Sequence, residues 1–287
     1  LAGERGRTQD VLVRVTPGVK PSTHAYISTG QLDSKFGFSL EGGLAAQAVA
    51  ACRAAANVNL VGLHCHIGSQ IFELGAYPAA AALLAAFVKE QGGDDLTVMD
   101  MGGGLGIAYT RDDDPPSVEE FADTVMDAVH AEWDAAGLPR PRVLVEPGRS
   151  IVGRAGLTVY RVTGTKDIPG VRRYVAVDGG MSDLMRPMLY GATYEAILPD
   201  RPEAEATDTL RLVGKHCESG DVLIQEVELP PLARDDLVCI PATGAYGVAM
   251  ASNYNGVTRP AVVFVEDGRA TVVVRRETYA ELVARDL

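Results

Sequence analysis

Three segments in the first half of this sequence carry residue types that could do chemistry together: His64-Cys65-His66-Ile67-Gly68-Ser69-Gln70, Gly102-Gly103-Gly104-Leu105-Gly106 and Glu146-Pro147-Gly148-Arg149. Each follows a short apolar run, at residues 59–63, 96–101 and 143–145. Polar groups gathered at the C-terminal ends of successive parallel strands mark the active face of a β/α barrel. Donors for an anion, a flat imidazole and a carboxylate would converge there. That set suits a phosphorylated, planar, nitrogen-containing cofactor.

Each group also has a plainer reading. His64 and His66 are two apart in a strand-like run, so both should project to one side, with Cys65 on the other. They can be buried structural histidines, a His-x-His metal pair, or, for His66, an imidazole lying flat on a heteroaromatic ring while Ser69 and the amides near Gly68 meet an anion. No third ligand cluster accompanies the pair in sequence, so no metal is expected. The glycine run follows a strand but lacks the full dinucleotide spacing, and no acidic ribose partner stands downstream of Asp100. It is either a tight turn or a place where bare backbone N–H groups approach a phosphate. Glu146 and Arg149 are either a surface ion pair or a divided task. In the second case Glu146 keeps a pyridine nitrogen protonated, which makes the ring an electron sink. Arg149 then neutralises a phosphate or a substrate carboxylate through its planar fork.

The second half adds weaker signals. Lys215-His216-Cys217-Glu218-Ser219-Gly220-Asp221 crowds reactive types into one turn. Cys217 is either structural or, beside a carboxylate, a proton donor to a carbanion. Arg186 and Tyr190 in Met185-Arg186-Pro187-Met188-Leu189-Tyr190 are spaced like a carboxylate clamp, and Gly244-Ala245-Tyr246-Gly247 offers a phenol among small residues.

Elements must position these groups. Residues 11–15, 59–66, 96–101 and 142–146 read as strands, and residues 40–56, 76–91 and about 117–136 as helices, the last opened by a Ser117-to-Glu120 capping box. Strands alternating with helices imply a parallel sheet with right-handed crossovers. Four strands are half of a closed TIM-type (β/α)8 barrel, whose other half would precede Leu1; an open doubly wound sheet competes. The chain begins on Leu1 and enters a strand at once, as a fragment starting inside a fold would. Beyond residue 156 the pattern becomes short β-branched runs at 157–162, 174–177, 210–213, 222–227, 236–240, 261–265 and 270–275, with Asp267-Gly268 as a hairpin turn. The expected organisation is therefore a partial barrel over residues 1–155 and a β-sandwich or small β-barrel over 156–287. Residues 199–208 read as a solvated acidic loop.

Bulk properties exclude some functions. The 287 residues are 47% hydrophobic and 22% charged, with net charge −12, which opposes a nucleic-acid surface. No apolar run approaches a membrane span. Cys52, Cys65, Cys217 and Cys239 form no disulfide framework, so reduced thiols in the cytoplasm are expected.

Taken together, the segments resemble the fold-type III decarboxylases that use pyridoxal 5′-phosphate, in particular the branch acting on meso-diaminopimelate. The resemblance is carried by Tyr26-Ile27-Ser28-Thr29-Gly30, Ser34-Lys35-Phe36-Gly37, residues 64–70, 100–106 and 146–150, Asp178-Gly179-Gly180-Met181, residues 216–221, and Gly244-Ala245-Tyr246. It implies loss of one carboxyl group from meso-2,6-diaminopimelate to give L-lysine and CO2. It implies that His66 stacks on the cofactor ring, that Ser69, Gly103 and Gly104 hold its phosphate, that Gly148 binds the cofactor, that Glu146 pairs with the pyridine nitrogen, and that Arg149 serves phosphate, substrate or both. Arg149, Arg186, Tyr190 and Glu218 would contact substrate, with Glu218 reading the distal amino group. Cys217 would donate the proton and Tyr246 would touch cofactor and substrate. A homodimer with shared active sites is implied, Cys217 and Glu218 reaching into the partner's barrel. Such enzymes carry a Schiff-base lysine in a Tyr-x-x-Lys-like setting on an early barrel strand. None of Lys20, Lys35, Lys89, Lys166 and Lys215 stands in that setting, so the lysine is expected N-terminal to Leu1 and this chain alone is expected to be inactive. Rival readings are a decarboxylase of ornithine, arginine or carboxynorspermidine, and a cofactor-binding regulator without catalysis.

Overall fold

Apolar residues alternate or recur at helical spacing through the first half, and they fold as that pattern requires. The computed structural model describes residues 1–19 and 35–287; Lys20, the Tyr26-to-Gly30 segment and Ser34 lie outside the described residues. The chain divides into two compact units, one of residues 1–107 and 114–150, the other of residues 108–113 and 151–287.

The first unit is built on a five-stranded sheet in which every pair is parallel. Its strands are β1 (Gln9–Thr16), β2 (Phe38–Ser39), β3 (Val58–His64), β4 (Val98–Asp100) and β5 (Arg142–Leu144), in the order β2-β1-β3-β4-β5. Helices α1 (Leu44–Ala54), α2 (Ala76–Glu90) and α3 (Val118–Ala136) supply the crossovers. The expected first helix starts four residues late, because residues 41–43 form a separate 3-10 turn in which Gly42 is left-handed. On α3, Phe121, Val125, Val129 and Trp133 repeat every four residues, and all four are buried. Tyr77 of α2 meets Phe121 edge to face at 5.2 Å between centroids. Each such side chain contributes roughly 1.5–3 kcal/mol by leaving water. The start of α3 is the expected capping box: Glu120 N–H donates to Ser117 Oγ at 3.0 Å, and Ser117 N–H donates to Glu120 Oε2 at 2.7 Å.

β3 ends at His64 rather than at His66. After Cys65 N–H bonds the Asp100 carbonyl (2.8 Å), the chain leaves the ladder and runs beside the glycine-rich loop, pairing Ile71 with Leu105. His66 thus lies just past the strand end, although the alternation persists, since His64 and His66 are both half-buried. Cys65 is fully buried in the core between them.

The second unit carries a mixed sheet in the order β10-β6-β7-β8-β9, from β6 (Leu157–Ile168), β7 (Arg172–Val177), β8 (Asp208–Val213), β9 (Val222–Leu229) and β10 (Leu237–Pro241). Its pairs are antiparallel except β7 with β8, which run parallel. The expected hairpin forms from β11 (Val262–Glu266) and β12 (Arg269–Val274) as a separate two-stranded ribbon, turning on Asp267 and Gly268 at φ 49° and 73°. Short helices α4 (Arg149–Val152), α5 (Arg186–Tyr190) and α6 (Tyr279–Leu282) complete the chain. Residues 199–207 are exposed, as an acidic loop should be.

Candidate functional site

The ends of β3, β4 and β5 bring the first-half segments together. His64 Nε2 lies 3.1 Å from Glu146 Oε2. A carboxylate only accepts, so the imidazole donates. Glu146 N–H donates to the Gly102 carbonyl at 2.8 Å, which ties the segment after β5 to the loop after β4. Arg149 is buried, and its Nη2 donates to Ser69 Oγ at 2.8 Å. A cation, a hydroxyl and bare loop amides thus come from three successive strand ends.

The glycine loop is gripped from both sides. Gly103 N–H donates to His66 Nδ1 at 3.2 Å, and the Gly103 carbonyl accepts from Tyr77 Oη at 3.1 Å. Gln70 donates to the Ile107 carbonyl at 2.6 Å and accepts from Ile107 N–H at 3.2 Å. No side chain fits inside this grip. A Cβ on Gly103 would lie 2.3 Å from the Glu146 carbonyl oxygen, and one on Gly102 would lie 2.4 Å from that of Cys65. Gln70 itself is held at φ 58°, a left-handed conformation rare outside glycine.

The electrostatics follow from burial. His66 titrates below its ordinary value, first because burial disfavours the imidazolium and then because Arg14 repels it. Its Nδ1 accepts from Gly103, so the neutral ring carries its proton on Nε2. Burial pushes the Cys65 thiol up to about 12, so it is an inert core group. Tyr77 is likewise raised by burial and stays a phenol that donates to the loop. His64, Asp100 and Glu146 bring one ligand atom each within 4.8 Å of one another, a third-ligand arrangement invisible around His64 in the sequence. Asp100 already accepts from Gly102 N–H at 2.9 Å.

In the second unit, Arg186 is buried at the start of α5. Its guanidinium lies over the Tyr109 ring at 4.4 Å and the Tyr194 ring at 5.6 Å, and Nη1 donates to the Tyr194 hydroxyl. Those two rings meet edge to face at 5.1 Å. Sequence reasoning missed both tyrosines; the signal was only their aromatic type, eight residues after Arg186 and 77 before it. Tyr190 is half-buried at the end of the same helix. Cys217 and Glu218 are exposed on the turn before β9. Tyr246 is 43% exposed and, at φ 61°, strained for a side chain of its size. Lys35, Lys89, Lys166 and Lys215 all present exposed residues.

Known proteins share this pattern over the whole chain. The family model "Pyridoxal-dependent decarboxylase, pyridoxal binding domain" matches residues 2–153, and "Pyridoxal-dependent decarboxylase, C-terminal sheet domain" matches residues 87–244. Diaminopimelate decarboxylase of Bacillus subtilis (strain 168) is 47% identical over 100% of this chain and 66% of its own length. That of Mycobacterium tuberculosis (strain ATCC 25618 / H37Rv) is 45% identical over 100% of this chain and 67% of its own. Among solved structures, diaminopimelate decarboxylase from Helicobacter pylori complexed with L-lysine superposes with TM-score 0.88 at 29% identity, covering 99% of this chain and 68% of that one. Diaminopimelate decarboxylase from M. jannaschii in co-complex with L-lysine gives TM-score 0.89 at 35% identity, over 100% of this chain and 65% of that one. The chain thus spans about two-thirds of the length of the curated relatives it matches.

Proposed function

This chain belongs to the pyridoxal-dependent decarboxylases, and from that premise we propose that the full-length protein converts meso-2,6-diaminopimelate to L-lysine and CO2 with pyridoxal 5′-phosphate as cofactor. The reading is supported by the names of the relatives and by the donors at the strand ends. Those donors fit the cofactor chemically. A loop with no room for a Cβ at Gly102 or Gly103 presents bare backbone, and Arg149 paired with Ser69 supplies a cation and a hydroxyl beside it. A carboxylate and a neutral imidazole complete the set.

When bound, the cofactor supplies a protonated ring that accepts the electron pair left by departing CO2. The chain's own residues do the rest. Glu146 holds the proton on the ring nitrogen, and its bond to His64 keeps the carboxylate aimed. His66, neutral and fixed through Gly103, offers the ring a flat face without adding a positive charge. Ser69, Gly103, Gly104, Gly148 and Arg149 hold the phosphate. Arg186, with Tyr190 and Arg149, takes substrate carboxylates; the two tyrosine rings against Arg186 restrict its fork to one orientation. Glu218 receives the distal ammonium, Cys217 delivers a proton to the carbon that loses CO2, and Tyr246 contacts cofactor and substrate. We read the parallel sheet as part of a TIM-type (β/α)8 barrel, the second unit as the C-terminal β domain, and the working form as a homodimer with shared sites.

The observation that carries this reading is the convergence of Glu146, His66 and the Ser69–Arg149 pair on neighbouring strand ends. The test is the absorbance of the full-length protein with pyridoxal 5′-phosphate. A visible band that shifts on adding meso-diaminopimelate, with L-lysine accumulating, is expected. Absence of any cofactor band, or faster turnover of ornithine or arginine, overturns the reading.

A further inference from the structure

Glu218 stands on an exposed turn beside Ser219 and Gly220, where a glutamate side chain ordinarily samples many rotamers. Here it does not hang free. The Tyr254 hydroxyl donates to Glu218 Oε1 from 36 residues downstream. The neighbouring residue, Asn255, accepts from Cys217 N–H through Oδ1 at 3.4 Å, and it adopts a left-handed φ of 53°. The two residues of the turn with proposed chemistry are thus both held by consecutive residues of one distant segment.

That segment rests on a buried foundation. The Tyr254 ring stacks on His216 with centroids 6.0 Å apart and planes 19° from parallel. The His216 side chain is 0% exposed and that of Asp221 1%. Asp221 Oδ2 accepts from His216 Nδ1 at 2.8 Å and from His216 N–H at 2.9 Å, while Oδ1 accepts from Met181 N–H at 2.7 Å. One buried carboxylate therefore locks the imidazole on which Tyr254 lies. Donation to Glu218 also holds the Tyr254 phenol above its ordinary value, so it remains a donor.

We propose that Tyr254 is a positioning residue for Glu218: its hydroxyl fixes the carboxylate that reads the distal ammonium of the substrate, and the buried His216–Asp221 pair holds the Tyr254 ring in register. The inference rests on the substrate reading given above. Pre-ordering the carboxylate removes a conformational cost that binding would otherwise carry. The distal ammonium of meso-diaminopimelate becomes the α-ammonium of L-lysine, so product binding reports the same contact.

Tyr254→Phe in the full-length, cofactor-loaded protein removes only the hydroxyl and keeps the ring on His216. Tyr254 is 41% exposed, so the change leaves the core intact. Calorimetric binding of L-lysine is compared with that of 6-aminohexanoate, which lacks the α-ammonium. Lysine affinity should fall about tenfold and that of 6-aminohexanoate less than about twofold, and KM for meso-diaminopimelate should rise about tenfold with the loss concentrated there rather than in kcat. Equal weakening of both ligands, or of neither, overturns the positioning role. A wild-type protein that fails to decarboxylate meso-diaminopimelate overturns the substrate reading instead, so the two failures are distinct.

Discussion

His66 is neutral in the folded chain for two reasons: burial disfavours its charged form, and Arg14 repels it. Its folded pKa lies below the unfolded value of 6.5. As pH falls below about 6.5, the unfolded chain takes the proton first, so stability declines from there down through the folded pKa and is unaffected above. Protonation also removes the lone pair that accepts from Gly103 N–H. Denaturant midpoints should fall on acidification across that window, and His66→Gln should flatten the slope; an unchanged slope would show that His66 does not carry it. At Glu146 the expectation separates binding from chemistry. Glu146→Gln keeps the shape but not the charge, so cofactor titration should still saturate while decarboxylation falls by about a hundredfold or more.

The loop after β4 shows how an element is made intolerant of change. Gly103→Ala would force a Cβ to within 2.3 Å of the Glu146 carbonyl oxygen, where only backbone can give way. We expect a loss of about 1–3 kcal/mol in urea melts together with weakened cofactor binding. Ser117→Ala, which opens the capping box of α3, should cost about 1 kcal/mol in the same melts and leave the cofactor alone. Both features were legible in the sequence, because a capping box and a glycine run are local signals. So were the strand–helix alternation and the Asp267-Gly268 hairpin. Contacts that depend on distant chain segments were not. The His64–Glu146 bond spans 82 residues and Tyr254–Glu218 spans 36. Nothing local marks Tyr109 and Tyr194 as the rings against Arg186. The end of β3 was also misjudged: apolar residues continue to Ile67, but the chain there follows the glycine loop rather than the ladder.

At the scale of the whole molecule, the proposed sharing of active sites makes a prediction that a self-contained subunit cannot meet. Glu146→Gln and Cys217→Ser are each expected to cut turnover by about a hundredfold or more. Unfolded together and refolded as a mixture, they should recover about a quarter of wild-type activity, because random pairing restores one intact site in each hybrid dimer. No recovery would place both residues in the same subunit's site. The net charge of −12 was readable from composition, and it opposes a surface for a polyanion. Trp133, the one indole in the chain, lies 1% exposed in the core of the unit that carries His66 and Glu146. Its fluorescence therefore comes from a single, rigid, water-free position, and a visible-absorbing guest in the same unit can accept that energy. Dimming of the Trp133 emission should report cofactor occupancy, without a label and without turnover.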